Sequence, residues 1–236
     1  MDVLILTGGL GSRLKEVVSD RPKTMAQIGG RPFLDMLIEH LSGFGFRRFI
    51  LCVGYMADFI TKYYNDRKPG GPEIVFSTEA TPLGTGGAVK QAADIIGSDT
   101  FLVVNGDSFC PVDFQRFIEF HTRKQSLLSM ALSASDDPED YGTVVIDEAG
   151  RIIDFSEKRP GGKAWINGGV YLFERTVLTL IESGSVCSLE YDLFAKLVGK
   201  DFFGFLASGK VRDIGTPSRL EEAKRSMRMQ APPDRI

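Results

Sequence analysis

The stretch VLILTGGLGSRLKEVVSDRPKTM, residues 3–25, joins a short apolar run to a glycine-rich segment near the start of the chain. Residues 3–6 predict a buried parallel strand, because four apolar residues bounded by glycines have the right length and β-branched content. Gly8, Gly9 and Gly11 follow the strand, and glycine lets another group approach the main chain closely. The amide groups of this loop are therefore expected to converge on an anion, and a phosphate is the natural ligand.

Two familiar phosphate-binding loops do not fit this segment. A dinucleotide-binding fingerprint needs a third glycine where the chain has Leu14, and an acid at the end of the second strand, where RRFILCVGY has none. A P-loop ends in Gly-Lys-Ser/Thr, whereas this loop continues as Gly-Ser-Arg. The sequence therefore predicts a phosphate loop of another kind.

Length and composition limit the possible classes of protein. The 236 residues suit one sizeable α/β domain, and a net charge of -3 argues against a broad nucleic-acid-binding surface. Cys52, Cys110 and Cys187 are isolated, which suggests neither a zinc site nor a disulfide framework. No signal sequence and no apolar run of about 18 residues is visible, so we expect a cytoplasmic protein without a membrane partner.

The periodicity of apolar residues alternates between strand and helix in the first half, and shifts towards short strands in the second. Helices are predicted at 31–45, 56–66, 84–96, 112–124, around Leu178, at 189–197 and at 217–227. Strands are predicted at 3–6, 49–53, 73–78, 100–107, 127–133, 142–147, 151–157, 164–173, 202–208 and 211–215. We expect one domain over residues 1–228, with halves of about 1–110 and 111–228 joined through one sheet, and a disordered tail at 229–236.

Four polar segments come at or just after predicted strand ends: the glycine loop, PLGTGGA, NGD and RDIGTP. Ligands of open α/β sheets bind at the carboxyl ends of strands, so these segments are expected to face one cleft. Arg13 and Lys23 are expected to lie over a polyphosphate held by the glycine amides. Asp107 and Asp213 each end an apolar run, and two such carboxylates with substrate phosphates suit Mg²⁺.

The ordered set GGLGSRL, RPKTM, PLGTGGA, NGD, EKRP, INGGVY and DIGTP resembles the sugar-1-phosphate nucleotidyltransferase family, over residues 1 to about 227. Within it, the bacterial D-glycero-D-manno-heptose 1-phosphate guanylyltransferases are most similar, and the mannose-1-phosphate guanylyltransferases come next. The resemblance implies a Rossmann-like, GT-A-like α/β fold with a mixed, mostly parallel central sheet flanked by helices. It also assigns nucleotide binding to the first half and sugar-phosphate binding to the second.

The resemblance implies roles for individual residues. Arg13 would bind the β- and γ-phosphates, Lys23 would bridge the phosphates of both reactants, and Asp107 and Asp213 would bind Mg²⁺. The other expected nucleotide-binding residues are Leu6, Gly8, Gly9, Gly11, Glu79, Gly84 and Thr85. The expected sugar-phosphate-binding residues are Tyr141, Gly142, Glu157, Lys158, Asn167 and Gly168. The chain departs from the family pattern at Ser12, usually threonine, and at Thr24, usually proline.

Glu79 bears on the choice of base, because many thymidylyl and uridylyl relatives carry glutamine at this position. Guanine presents two adjacent donors that a carboxylate accepts in parallel, whereas uracil and thymine offer one donor flanked by carbonyls. The sequence therefore favours GTP, with UTP, CTP and dTTP as alternatives.

The expected reaction condenses GTP with a sugar 1-phosphate and releases pyrophosphate and a GDP-sugar, which serves the synthesis of bacterial surface polysaccharide. The acceptor favoured by the resemblance is D-glycero-α-D-manno-heptose 1-phosphate. Mannose, glucose or amino-sugar acceptors are alternatives. A non-catalytic sugar-nucleotide-binding regulator is the alternative of another class, which the retained Arg13, Lys23, Asp107 and Asp213 oppose.

Two further expectations concern residues away from the site. His40 and His121 fall in helical patterns and are expected to be surface residues and not catalysts. An acceptor phosphate is already nucleophilic and needs no general base. The aromatic run DFFGFLA, residues 201–207, suits either a homodimer contact or a core strand, and the strand is favoured.

Overall fold

A computed structural model describes residues 1–14, 17–67, 70–136, 142–156 and 164–228. Its strands are β1 (Val3–Leu6), β2 (Gln27–Ile28), β3 (Arg31–Pro32), β4 (Arg48–Val53), β5 (Glu73–Thr78), β6 (Thr100–Asn105), β7 (Ser108–Phe109), β8 (Leu128–Ser135), β9 (Thr143–Ile146), β10 (Ile152–Ser156), β11 (Ala164–Glu174), β12 (Phe202–Leu206) and β13 (Arg212–Asp213). Its α-helices are α1 (Phe33–Gly43), α2 (Ala57–Asn65), α3 (Gly84–Gln91), α4 (Phe114–Lys124), α5 (Ala195–Leu197) and α6 (Pro217–Arg228). Short 3₁₀ helices cover Ser12–Leu14, Lys23–Met25, Ala92–Asp94 and Arg175–Leu180, and a π-helix covers Leu189–Phe194.

A nine-stranded sheet forms the centre of the fold. In one part, β1 pairs in parallel with β4 and β6, and β5 pairs in parallel with β4. The long strand β11 then runs antiparallel to β6, β8 and β9, while β12 pairs in parallel with β8. The predicted mixed sheet is confirmed, and the carboxyl ends of β1, β4, β5 and β6 meet at one edge of it.

Helices cover both faces of this sheet, which is why β1 is apolar at every position. Val3 and Ile5 pack into a core cluster with α1, α2 and α4, whereas Leu4 packs into a second cluster with α3 and the segment that follows β11. All three side chains are fully buried. A continuous apolar run is typical of a parallel strand buried on both faces.

A polar cluster joins α1 to α2 on the face of the sheet that these two helices cover. The carboxylate of Asp35, which is buried, accepts hydrogen bonds from the hydroxyls of Tyr63 at 2.6 Å and Tyr64 at 2.8 Å. Arg67 donates to the same carboxylate. Buried polar groups need such partners, so the cluster fixes the packing of α1 against α2.

The structure corrects four sequence predictions. The segment predicted as a helix at 189–197 is mostly π-helical, and the predicted helix at 84–96 ends in a 3₁₀ turn. His121 is not at the surface: it is 2% exposed, and its ring nitrogens contact Ser129 Oγ and Glu174 Oε1. His40 is partly buried among the rings of Phe44, Phe109 and Phe114.

Other predictions fit the described residues. Residues 202–206 form a core strand in which Phe202 and Phe203 are buried, as favoured. The predicted tail at 229–236 lies outside the described residues. In the part of the chain that the structure describes, no helix combines the length and the apolar character that crossing a membrane requires.

Candidate active site

A cavity of about 280 Å³ opens at the carboxyl edge of the parallel strands. Its walls come from the loop after β1, the end of β6, the segment after β5 and the start of α3. The lining residues are Leu6, Thr7, Gly8, Gly9, Leu10, Gly11, Lys23, Thr24, Cys52, Glu79, Pro82, Gly84, Thr85, Ala88, Asn105 and Asp107. Three of the four segments predicted to face one cleft therefore contribute to a single cavity.

The glycine loop is fixed at its start and open beyond it. Thr7 anchors the loop, since its amide and its hydroxyl both donate to the Cys52 carbonyl, at 3.0 and 2.7 Å. Within the described chain, the amides of Gly9, Leu10 and Gly11 donate to no other residue. Gly11 has φ +58, and a Cβ there would lie 3.1 Å from Lys23 Cβ. The loop thus offers backbone donors beside a lysine, which suits an anion.

Lys23 lies against the acid at the end of β6. Its ammonium donates to Asp107 Oδ2 at 2.5 Å, and its side chain is only 14% exposed. Gly106 allows this approach, because its amide donates to the Leu6 carbonyl and a Cβ there would lie 2.7 Å from that oxygen. The end of β6 and the glycine loop are therefore in direct contact.

Asp213 reaches the same place through a two-stranded sheet. β13 pairs antiparallel with β7, which sets Asp213 opposite Ser108, and the Ile214 amide donates to the Asp107 carbonyl at 2.9 Å. The Asp213 carboxylate is 11% exposed and accepts from the Gly215 amide at 2.7 Å. The structure thus brings Asp213, on β13, next to Asp107, in the turn that precedes β7, although the two are far apart in the sequence.

Arg219, on the first turn of α6, was not predicted as a site residue. Its guanidinium lies 3.4 Å from Asp213 Oδ2. Each of the two acids therefore has a cation beside it, Lys23 for Asp107 and Arg219 for Asp213. The arginine follows RDIGTP by two residues, so the signal for it was its position and not a motif.

The two carboxylates fit a small hard cation that also binds substrate. Among the described residues, no group of three or more His, Cys, Asp or Glu side chains could form a cage made of protein ligands alone. Mg²⁺ is commonly bound by one or two carboxylates together with substrate phosphates and water. The donor set of Asp107 and Asp213 beside an anion-binding loop is of this kind.

Glu79 projects from the segment after β5 into the same cavity. Its Oε2 accepts from the Leu83 amide at 3.1 Å, and its Oε1 lies against Gly8 and Gly54, where a Cβ would collide with it. Its negative charge adds to burial in raising the pKa of the Cys52 thiol to about 12. Glu79 is therefore held between the glycine loop and the start of α3.

The glycines of PLGTGGA serve packing as well as the cavity wall. The amides of Gly86 and Gly87 donate to the Cys187 carbonyl at 2.8 and 3.1 Å, so these donors are not free for a ligand. Gly84 has φ +73, and a Cβ there would lie 2.6 Å from the same carbonyl oxygen. Thr85 lines the cavity and accepts at Oγ1 from the Leu189 amide at 2.8 Å.

Asn167 lies on β11, in a bulge of the pairing with β8. Its Nδ2 donates to the Tyr171 hydroxyl at 2.8 Å and to Glu190 Oε1 at 3.1 Å, and its Oδ1 accepts from the Gly169 amide. Burial and the charge of Glu190 raise the pKa of Tyr171, which also hydrogen-bonds the Asn105 side chain. Because Asn105 lines the cavity, this polar group adjoins it.

The remaining predicted residues have different surroundings. Gly142 accepts from the Asn167 amide, and Gly168 packs so tightly that a Cβ would lie 2.7 Å from the Ala131 carbonyl oxygen. Arg13 is exposed, and no hydrogen bond or ion pair joins it to another described residue. Tyr141, Glu157 and Lys158 lie outside the described residues.

Known proteins match the chain over nearly its whole length. A family model described as Nucleotidyl transferase matches residues 2–230. The D-glycero-alpha-D-manno-heptose 1-phosphate guanylyltransferase of Aneurinibacillus thermoaerophilus is 36% identical, and the match covers 96% of this chain and 98% of that protein. The mannose-1-phosphate guanylyltransferase of Mycobacterium tuberculosis is 32% identical, over 92% of this chain and 62% of that longer protein.

A solved structure has the same fold. HddC from Yersinia pseudotuberculosis, complexed with GMP-PN, superposes with a TM-score of 0.86 at 36% sequence identity, covering 96% of this chain and 99% of that one. The family resemblance read from the sequence motifs is confirmed by these matches. The chain belongs to the nucleotidyl transferase family.

Proposed function

We propose that this nucleotidyltransferase is a sugar-1-phosphate guanylyltransferase that condenses GTP with D-glycero-α-D-manno-heptose 1-phosphate, giving a GDP-sugar and pyrophosphate for bacterial surface polysaccharide. The observation that carries the proposal is a cavity lined by Lys23, Asp107 and loop amides that donate to no other described residue, with Asp213 beside Asp107. Its size and chemistry suit a nucleotide with its phosphates. The heptose acceptor and the guanine base are supported by the similarity to the heptose 1-phosphate guanylyltransferase of Aneurinibacillus thermoaerophilus. The guanine base is also supported by the similarity to HddC, whose structure was solved with GMP-PN.

In the proposed reaction, an oxygen of the sugar 1-phosphate attacks the α-phosphorus of GTP in line. The bond from that phosphorus to the bridging oxygen breaks, and pyrophosphate leaves. The attacking phosphate oxygen is already nucleophilic, so the chain supplies alignment and positive charge and not a general base. Lys23 would bind phosphate oxygens of both reactants, and Arg13 would bind the β- and γ-phosphates.

Proteins of this family generally use a divalent metal ion. We propose that it is Mg²⁺ here and that Asp107 and Asp213 hold it. When bound, the ion would neutralise charge on the phosphate oxygens. Because Lys23 and Arg219 now lie against these acids, phosphate oxygens would attract both cations once a substrate binds.

The other predicted residues complete the proposal. We assign the nucleotide loop to Leu6, Gly8, Gly9 and Gly11, and the base and ribose to Glu79, Gly84 and Thr85. The sugar and its phosphate are assigned to Tyr141, Gly142, Glu157, Lys158, Asn167 and Gly168. Glu79 supports guanine, because a carboxylate accepts from N1–H and N2–H together.

Three wider expectations also stay proposals. Residues 1–228 form one domain with a nucleotide half and an acceptor half, and the enzyme works in the cytoplasm, where nucleoside triphosphates are available. A homodimer stays a prediction that sedimentation would check.

Mannose 1-phosphate is the second candidate acceptor, favoured by the similarity to a mannose-1-phosphate guanylyltransferase. The test incubates the protein and Mg²⁺ with each of GTP, UTP, CTP and dTTP and with heptose, mannose and glucose 1-phosphates, and identifies products by mass. We expect the GDP-heptose mass with stoichiometric pyrophosphate. GDP-mannose as the main product would replace the acceptor, and another base would replace the donor. Nucleotide binding without any pyrophosphate release would overturn the proposal in favour of a regulatory protein.

A further inference from the structure

The segment that runs from Cys187 into the π-helix Leu189–Phe194 is bound to the start of α3 by backbone hydrogen bonds. The Cys187 amide donates to the Leu83 carbonyl at 2.8 Å, and its carbonyl accepts from the Gly86 and Gly87 amides. The Leu189 amide then donates to Thr85 Oγ1. We call residues 187–190 the connecting segment. Its first part is therefore fixed to the nucleotide side of the cavity.

The contact between Cys187 and the start of α3 is close-packed, because the glycines that face Cys187 have no room for a side chain. A Cβ on Gly84 would lie 2.6 Å from the Cys187 carbonyl oxygen, and a Cβ on Gly86 would lie 2.8 Å from Cys187 Sγ. Contacts below 3.0 Å require movement of one partner. Two glycines of PLGTGGA thus keep the connecting segment at one distance from α3.

The segment then turns so that Glu190 faces β11. Ser188 Oγ accepts from the amides of Glu190 and Tyr191, while Leu189 and Leu193 are buried in the core. Glu190 Oε1 accepts from Asn167 Nδ2 at 3.1 Å. π-helical turns are rare and occur often at functional sites. Here the turn sets a carboxylate against a residue predicted to bind the sugar.

The orientation of the Asn167 amide follows from these contacts. A primary amide nitrogen has two protons, and those of Asn167 are directed at the Tyr171 hydroxyl and at Glu190. The amide oxygen accepts one bond, from Gly169, and an oxygen has two lone pairs. Held in this way, Asn167 offers an acceptor and not a donor to a ligand.

We propose that Glu190 is a positioning residue of the acceptor subsite: it fixes the Asn167 amide so that its oxygen accepts from a sugar hydroxyl, and the connecting segment fixes Glu190 to the nucleotide side of the cavity. This inference rests on the proposed function. It gives a single carboxylate, not assigned by the sequence motifs, an effect on acceptor binding that leaves nucleotide binding unchanged.

The test compares Glu190→Ala and Glu190→Gln with the wild type and with Glu182→Ala, a control at an exposed glutamate of the preceding turn. For each protein we would measure the melting temperature, the Kd for GTP without acceptor, and kcat and KM for the sugar 1-phosphate. Loss of the Asn167 partner in Glu190→Ala is expected to raise the acceptor KM about ten-fold, the size of one charge-assisted hydrogen bond. The Kd for GTP should stay within about two-fold of the wild-type value, a change smaller than the loss of one uncharged hydrogen bond would cause.

Glu190→Gln keeps an oxygen acceptor for Asn167, so it should recover most of the acceptor affinity. An acceptor KM unchanged in Glu190→Ala would overturn the inference. So would a loss of GTP affinity and of melting temperature in step with the KM, since that pattern marks a structural role alone. Failure of the proposed function is distinguishable, because the wild type would then turn over none of the nucleotide and sugar-phosphate pairs.

Discussion

Replacing Glu79 with glutamine should weaken GTP as the donor and improve pyrimidine nucleotides. In the structure Oε2 accepts from the Leu83 amide at 3.1 Å, while Oε1 lies against Gly8 and Gly54 in the cavity wall. A glutamine that keeps the bond to Leu83 must place its NH₂ group where Oε1 was. That NH₂ group would face the donors of guanine but would match the carbonyls of uracil or thymine.

The magnitude follows from the number of bonds lost. If the side-chain oxygen of the substituted glutamine accepts from the Leu83 backbone amide, one charge-assisted bond to guanine is lost. If the glutamine side chain is rotated so that its oxygen faces guanine, the Leu83 backbone amide is left without its acceptor. Either loss is worth about 1.5 to 3 kcal/mol, which corresponds to a fall of about 10- to 150-fold in kcat/KM for GTP. The change is isosteric, so the fold should be unaffected.

The assay is pyrophosphate release with GTP, UTP and dTTP at a fixed, saturating concentration of sugar 1-phosphate. Glu73→Gln is the matched control, because Glu73 begins β5, the strand that Glu79 directly follows, and pairs with Arg48 at the surface. It should leave the preference among nucleotides unchanged. A Glu79→Gln enzyme with wild-type kcat/KM for GTP and no gain for UTP would falsify the assignment of Glu79 to the base.

Three other substitutions separate catalysis from stability. Asp107→Asn should lower kcat by at least about 10³-fold, because the bound metal ion would lose a carboxylate ligand. The ion pair of Asp107 with Lys23 is partly exposed on the Asp107 side, which limits the stability loss to about 1 kcal/mol. Asp99→Asn, at a position before the other end of β6, is the control, and retention of a tenth of wild-type kcat would contradict the metal role. Asp35→Asn should lower the free energy of unfolding in urea by about 2 kcal/mol, because it breaks a buried cluster between α1 and α2, and kcat should not change. Burial lowers the pKa of His40, so the unfolded chain takes up a proton first as pH falls through about 6.5, and stability is lost below that pH. His40→Leu should therefore show a smaller fall in melting temperature between pH 7.5 and 5.5 than the wild type. An equal fall in both proteins would show that His40 is not the cause.

The long regular elements could be predicted from the sequence because their periodicity carries the information. β1, β4 and β6 are apolar on both faces, and α1 has apolar residues at helical spacing before glycines. Strand β7 could not be predicted in this way, since two residues have no period, whereas β13 falls within the strand predicted at 211–215. Yet their pairing is what places Asp213 beside Asp107.

The parts of the site that were missed depend on tertiary contacts. Glu190 acquires its neighbour through a π-helical turn, which has no sequence pattern of its own, and Arg219 reaches Asp213 through the first turn of α6. PLGTGGA was expected to face the ligand, and Gly84 and Thr85 do line the cavity, but the amides of Gly86 and Gly87 donate to the Cys187 carbonyl. Motifs indicated which segments meet, and packing decided which atoms are left for a substrate.

Strand β11 also limits how the enzyme could adapt to different acceptors. It carries Asn167 near one end and, four residues on, Tyr171, which pairs with Val103 of β6. If Asn167 binds the acceptor as proposed, a continuous backbone and an interstrand register hold its position relative to β6, and a hinge rotation of one half against the other would not change it. A relative that accepts a longer or shorter sugar would have to change the side chains around Asn167, because the scaffold beneath them cannot slide by less than a full two-residue step.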